Sequence, residues 1–60
     1  MLRYRHAASG DVYELLHMGY WEKTMTPVVI YRNKSGVVFV RDLFVFFDGR
    51  FMLMGKDEEA

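Results

Sequence analysis

Residues 26–41 read TPVVIYRNKSGVVFVR, and this stretch decides the fold. Two runs of β-branched and aromatic side chains, 26–32 and 37–41, flank the polar segment 33–36. Gly36 suits the left-handed position that closes a type I turn with a bulge. Strand-forming residues on both sides of such a turn predict two paired strands. We therefore expect a β-hairpin at the centre of the chain.

Weaker signals extend this hairpin into a larger sheet. Residues 2–6 alternate in the manner of an edge strand, and residues 50–54 have the composition of a short terminal strand. Small and polar residues predict turns at 8–11 and at Asp48-Gly49. Residues 21–27 are expected to be the longest irregular link, and its last residue is a proline, which suits the start or the edge of a strand.

Two segments have no unique interpretation from the residues alone. Asp11 stands three positions before Glu14, as in a helix cap, and the apolar residues of 12–19 fit helical spacing. A short helix and a strand are equally compatible with this segment. Residues 42–47 fit either a strand or a tight helical turn that begins at Asp42.

Length and composition exclude several classes of protein. Sixty residues allow one domain, and we expect it to span 1–55, followed by a frayed acidic tail at 56–60. The chain has no cysteine, which excludes disulfide scaffolds, iron–sulfur clusters and thiolate zinc sites. No apolar run is long enough to cross a bilayer, and residues 1–5 lack the apolar core of a signal peptide. We expect a cytoplasmic protein, in the bacterial host cytoplasm if a phage encodes it, with no membrane partner.

The chain holds more apolar bulk than a lone domain of this size can cover. Domains of about 60 residues bury only about 60% of their unfolded surface and are marginally stable. This sequence nevertheless contains ten aromatic residues and five methionines. Large exposed apolar patches usually mark interaction surfaces. A homodimer or higher homo-oligomer is therefore the expected state.

The charge balance favours a small anionic partner over nucleic acid. Positive and negative side chains are equal in number over the whole chain, and residues 1–55 hold seven Lys and Arg against five Asp and Glu. Proteins that follow a nucleic-acid backbone neutralise many phosphates at once. We therefore do not expect a nucleic-acid partner, whereas a few arginines could hold one small anion.

Several motifs, in this order, resemble a small bacterial and phage family, the domain-of-unknown-function family numbered sixteen fifty-three. These motifs are Tyr4-Arg5-His6, Tyr13-Glu14-Leu15-Leu16, the segment 26–32 and Phe39-Val40-Arg41-Asp42-Leu43. The resemblance covers nearly the whole chain, but Asp42 stands where the family has proline and Phe39 where it has tryptophan.

The resemblance implies an all-β fold, a small SH3-like partly open barrel of about five strands. It implies a strand over 12–20 and a short helical turn near 42–47, and it thereby favours one alternative for each ambiguous segment. It implies no activity, because a barrel fold does not choose a function.

Catalysis and metal binding have little support in the sequence. His6 and His17 are the only histidines, and neither a cysteine nor a glycine-framed serine offers a nucleophile. Two histidines eleven residues apart do not match a zinc motif. We expect no enzyme activity, no catalytic residue, no metal and no cofactor, and we expect both histidines to be half-buried strand residues that form hydrogen bonds.

Arginines beside aromatic residues are the best functional lead. Guanidinium groups bind phosphate through paired hydrogen bonds, and aromatic faces stack on planar bases. Arg32 and Arg41 flank the central hairpin at similar distances from its turn, so their guanidinium groups are expected to lie near each other. The predicted ligand-binding residues are Arg5, His6, Trp21, Tyr31, Arg32 and Arg41. Cross-strand pairing with Glu14, Glu22 or Asp42 is the competing structural explanation for the arginines.

Two functional hypotheses follow. The first is a non-catalytic protein that holds a small anionic, nucleotide-like molecule at an arginine–aromatic pocket, by analogy with phage proteins that sequester nucleotide signals. The second is an SH3-like adaptor in which Tyr20 and Trp21 form an aromatic rim for a peptide or, with less support, nucleic acid.

Overall fold

The computed structural model describes residues 2–54, which form five antiparallel strands in one sheet and a short helix. The order across the sheet is β4-β3-β2-β1-β5. The elements are β1 (Arg3–His6), β2 (Val12–Trp21), β3 (Thr26–Asn33), β4 (Val38–Asp42), α1 (Leu43–Phe46) and β5 (Phe51–Leu53). The fold is a small, partly open all-β barrel, which confirms the expected class. The predicted tail at 56–60 lies outside the described residues.

A β-bulge explains the ambiguity of the segment that forms β2. The strand is ten residues long, and its pairing with β3 shifts between Leu15 and His17. The extra residue, Leu16, moves the inward–outward alternation by one position. Two apolar residues therefore stand next to each other in the sequence, which imitates helical spacing even though the backbone is extended.

The predicted irregular link at 21–27 is wrong, because both of its ends belong to strands. Trp21 pairs with Thr26, and only residues 22–25 form the turn of a long β2–β3 hairpin. Met25 adopts a left-handed φ of 57° to close this turn. Pairing between β3 and β4 starts at Val28, so Pro27 faces a neighbouring strand on one side only, as a proline within a sheet requires.

The turn expected near 42–47 is the helix α1, and Asp42 caps it. The Asp42 carboxylate Oδ1 accepts hydrogen bonds from the backbone N–H groups of Phe44 (2.9 Å) and Val45 (3.3 Å). These two groups have no carbonyl partner within a helix that starts at Leu43. The cap holds α1 so that Phe46, which is fully buried, points into the core.

Asp42→Ala is expected to lower the free energy of unfolding by about 1 kcal/mol, the usual contribution of an N-cap side chain. Urea denaturation followed by circular dichroism measures this loss. Asp42→Asn is the matched control, because asparagine keeps the accepting oxygen and should retain most of the stability. Equal losses in both variants would contradict the capping role.

The core is small and mostly aromatic. Its buried members are Tyr4, Val29, Tyr31, Phe46 and Phe51. The rings of Phe46 and Phe51 are stacked with centroids 4.3 Å apart, and the Phe46 ring also contacts the rings of both tyrosines. Thirteen large apolar side chains of residues 2–54 remain exposed. The excess of apolar bulk expected from the sequence is thus present on the surface of the single chain.

Candidate functional site

The structure separates the two arginines that were expected to lie together. Arg32 pairs with Val38 across the β3–β4 ladder, whereas Arg41 pairs with Val29. Directly opposed residues share a face of the sheet, and successive residues alternate between faces. Arg41 therefore lies on the same face as Val29 and Tyr31, the core face, and Arg32 lies on the opposite, outer face. Arg32 stands three positions after Val29, the partner of Arg41. Because this number is odd, the two arginines lie on opposite faces of the sheet, and the expected Arg32–Arg41 pair is wrong.

Arg41 and Tyr31 do come together, with Tyr31 buried in the core and Arg41 half-buried beside it. The Arg41 Nε donates a hydrogen bond of 3.1 Å to the Tyr31 hydroxyl. The Arg41 guanidinium carbon lies 5.5 Å from the ring centroid of Phe51, within the range of a cation–π contact. These contacts engage both predicted site residues in stabilising the barrel.

Arg5 and His6 stabilise the turn between β1 and β2. The His6 Nδ1 accepts a hydrogen bond of 3.3 Å from the backbone N–H of Ser9, and the His6 ring meets the Phe51 ring edge-on at 4.9 Å. Arg5 donates through Nη1 to the Gly10 carbonyl at 3.0 Å. His6 is half-buried as expected, whereas His17 is exposed, contrary to expectation.

Trp21 lies at the far end of the β2–β3 hairpin. Its partner, Thr26, stands six positions before Arg32 on β3, which corresponds to about 20 Å along the strand at roughly 3.3 Å per residue. Trp21 and Arg41, two of the predicted site residues, line one shallow hollow together with Val28 and Val40. Tyr20 is adjacent to Trp21 within the strand and therefore points to the other face of the sheet. The two rings do not form the single aromatic rim that the adaptor hypothesis requires.

The outer face holds a cleft that three cationic residues line. The ladder registers place Arg3 opposite Glu14, and Glu14 opposite Arg32, in one row across three strands. Lys34 comes from the adjacent β3–β4 loop. The cleft has a volume of about 620 Å³, within the range of small-molecule sites, and Glu14 is its only lining carboxylate among the described residues. We name it the outer cleft.

An ion pair orders the centre of the outer cleft. The Arg32 Nε donates to the Glu14 Oε1 at 2.9 Å, with both side chains partly exposed. Exposed pairs of this kind contribute little to stability, because water competes for both partners. The main consequence of the ion pair is that the Arg32 guanidinium is held in place. Among the described residues, the cations that line this cleft outnumber its one carboxylate.

The β3–β4 loop forms one wall of the outer cleft with a fixed shape. The Asn33 side-chain oxygen accepts a hydrogen bond of 2.9 Å from the Val37 N–H, and the Gly36 N–H bonds to the Asn33 carbonyl at 3.0 Å. Gly36 has a φ of 87°, as the sequence predicted for this position. Lys34 and Ser35 are thus presented on a closed turn beside the strand row.

Sequence reasoning identified Arg32 of this cleft but missed Arg3 and Lys34 as site residues. Arg3 stands two positions before Arg5 in the predicted first strand, so alternation places both arginines on one face. The missing information was the sheet order, because only the adjacency of β1, β2 and β3 places Arg3, Glu14 and Arg32 in one row.

The described residues hold neither a metal-binding cluster nor a membrane-spanning helix. Within residues 2–54, no group of three or more His, Asp or Glu side chains is placed to hold a metal ion. No helix in this part of the chain has the length and apolar character needed to cross a membrane.

Comparison of the chain with protein-family models, curated proteins and solved structures found no match.

Proposed function

We propose that this protein is a non-catalytic binding protein for a small phosphorylated ligand of nucleotide type, which it holds in the outer cleft. The observation that carries the proposal is that Arg32 and Lys34, together with Arg3, line one open cavity, in which Glu14 is the one lining carboxylate among residues 2–54. Such a constellation attracts anions because each additional cation raises the local positive potential. Binding without turnover would suit a protein that sequesters its ligand.

The chemistry of the three cations fits phosphate better than a single carboxylate. A guanidinium group offers planar paired donors that match two phosphate oxygens, and the Lys34 ammonium adds a compact point charge. Arg32 keeps donors besides Nε, which is the atom bonded to Glu14. A ligand with two or more phosphate groups would therefore engage several of these cations at once.

The phosphate groups, rather than a base, are expected to supply most of the affinity. The described residues that line the outer cleft include no aromatic ring. Base stacking on Trp21, as the sequence suggested, would require a ligand that reaches far beyond the cleft, and Tyr31 is buried on the opposite face of the sheet. Inorganic pyrophosphate should therefore compete with a nucleoside diphosphate, whereas the uncharged nucleoside should not.

Pyrophosphate and nucleoside diphosphates are expected to raise the melting temperature in a thermal-shift measurement. A ligand at ten times its dissociation constant stabilises the folded state by about 1.4 kcal/mol through mass action. For a domain of this size, that corresponds to a rise of roughly 6–11 °C. Adenosine at the same concentration should leave the melting temperature unchanged.

Lys34→Glu is the variant that locates the effect, and Lys23→Glu is its matched control. Both variants make the same change in net charge, but Lys23 lies in the β2–β3 turn, away from the outer cleft. The ligand-induced rise should disappear in Lys34→Glu and persist in Lys23→Glu. A well-folded wild-type protein with no shift at millimolar pyrophosphate and nucleotide would refute the proposed function, and an equal response of the two variants would refute its location.

We further propose that the protein self-associates. The thirteen exposed apolar side chains support this part of the proposal, because a domain with so small a core gains stability by covering them.

A further inference from the structure

Strand β4 has an open edge that carries no charge along most of its length. Among the residues that the structure describes, β4 pairs only with β3, and it is the outermost strand of the sheet. The segment 35–40, Ser-Gly-Val-Val-Phe-Val, contains no charged residue and no proline. Natural sheets usually protect such edges with charges, prolines or bulges. Over residues 35–40 this edge lacks those devices, and the two charged residues of β4, Arg41 and Asp42, stand at its end.

The hydrogen-bond pattern shows which backbone groups face outward. The Asn33 N–H bonds to the Val37 carbonyl at 3.0 Å, so this position of the ladder is hydrogen-bonded. Such positions alternate along an antiparallel pair, which assigns the inward-facing groups to Phe39 and Arg41. The N–H and C=O groups of Val38 and Val40 therefore point away from β3, toward the open edge.

The side chains of this edge are exposed on both faces. Val38 and Val40, on the outer face, are 55% and 58% exposed, and Phe39, on the core face, is 38% exposed while it stacks on Tyr31. Val37, which precedes the strand, is 50% exposed. A partner strand along this edge would cover apolar side chains on both sides and satisfy the outward backbone groups at the same time.

We propose that β4 pairs antiparallel with β4 of a second copy of this chain, in a register centred on Phe39. In this register, Val38 faces Val40 of the second copy, and these are the residues whose backbone groups point outward. The two Phe39 residues then form a non-hydrogen-bonded pair, in which side chains approach most closely. Arg41 faces Val37, so no like charges are opposed.

The second copy is favoured over other occupants by this self-complementarity. One edge supplies both halves of an isologous interface, with apolar side chains opposite apolar side chains and donors opposite acceptors. The other outermost strand among the described residues, β5, is only three residues long and is therefore a poorer template. This inference names the surface for the self-association part of the proposed function, and it does not depend on the anion site.

Val40→Lys tests the edge, with Met18→Lys as the matched control. Met18 is equally exposed, at 56%, but it lies in β2, an internal strand of the sheet. Sedimentation velocity across micromolar to submillimolar protein should show a dimer for the wild type and for Met18→Lys. Val40→Lys should weaken dimerisation by about tenfold or more, because it places two desolvated ammonium groups in one interface.

A cysteine variant tests the register and decides the question if Val40→Lys fails to fold. The chain has no cysteine of its own, so Phe39→Cys introduces a single thiol. The introduced thiols of two copies, opposed in a non-hydrogen-bonded pair, lie within disulfide reach, and mild oxidation should link the dimer completely. Thr24→Cys, in the exposed β2–β3 turn, should cross-link only slowly.

A folded wild-type protein that sediments as a monomer throughout this range would overturn the inference, as would a Val40→Lys variant that dimerises like the control. Slow cross-linking of Phe39→Cys, at the rate of Thr24→Cys, would do the same. The thermal shift with pyrophosphate is measured separately, so a wild-type monomer that still binds overturns self-association together with this inference but leaves the anion site, whereas a dimer that survives Val40→Lys overturns only the β4 surface. Loss of binding with an intact dimer overturns only the anion site.

Discussion

Phe46→Ala is expected to leave a large fraction of the protein unfolded at room temperature. The Phe46 side chain has no solvent exposure, and its ring lies 4.3 Å from that of Phe51, 5.1 Å from that of Tyr31 and 5.2 Å from that of Tyr4. Truncating a buried phenylalanine costs about 3–5 kcal/mol, because contacts are lost and a cavity remains. A core of this size rarely supplies more than about 3–5 kcal/mol of net stability.

Phe44→Ala, two residues earlier in α1, is the matched control. Phe44 is 72% exposed, so the same truncation removes little buried surface and should change the free energy of unfolding by no more than about 0.5 kcal/mol. Far-ultraviolet circular dichroism and urea denaturation distinguish the two variants. A Phe46→Ala protein with the wild-type urea midpoint would show that this aromatic cluster is not what stabilises the fold.

The strands and turns around residues 26–41 could be predicted because their signals are local. The hairpin glycine and the β-branched runs act within a few residues, and the observed strands β3 and β4 follow them closely. The segment that forms β2 could not be assigned in this way. Its bulge breaks the alternation on which strand prediction depends, and the bulge is stabilised by pairing with β3, which lies outside any local window.

The link expected at 21–27 shows the opposite error. Proline and polar residues in this segment suggested an irregular chain, yet Trp21 and Thr26 are paired and the turn is tight. The structure accommodates Pro27 because β4 ends its pairing one residue short of it. Proline has no backbone N–H to donate to a neighbouring strand. Whether a neighbouring strand extends as far as Pro27 depends on the strand lengths across the sheet, which no local pattern specifies.

The candidate site was only partly predictable, because side chains alternate between the two faces of a strand and a shift of one position changes the face. Sequence distance from the hairpin turn suggested that Arg32 and Arg41 were neighbours, but the face on which a side chain lies depends on the exact register of the ladder. The observed register assigns Arg32 to the outer cleft and Arg41 to the core face of the sheet. Residue types alone suggested anion chemistry, whereas the neighbours of Arg32 in the cleft, namely Arg3 and Lys34, required the topology.

Tyr31 separates the structural interpretation of the aromatic residues from the ligand-binding interpretation. It is 4% exposed, and its ring contacts four others, those of Tyr13, Phe39, Phe46 and Phe51, at centroid distances of 5.1–5.7 Å. Tyr31→Ala is therefore expected to cost about 3–5 kcal/mol, as for other buried aromatic residues. Urea denaturation of the variant measures this loss.

Tyr31→Phe isolates the hydroxyl group that accepts from Arg41. The substitution keeps the ring and removes one hydrogen bond at a partly buried position, so it should cost only about 1 kcal/mol. The rise in melting temperature with pyrophosphate should be the same in Tyr31→Phe as in the wild type, because this hydroxyl is on the core face and the outer cleft is on the other. If Tyr31→Phe kept its stability but lost the response to pyrophosphate, the ligand would have to bind on the core face beside Arg41. The outer cleft would then be the wrong site, even though anion binding itself was correct.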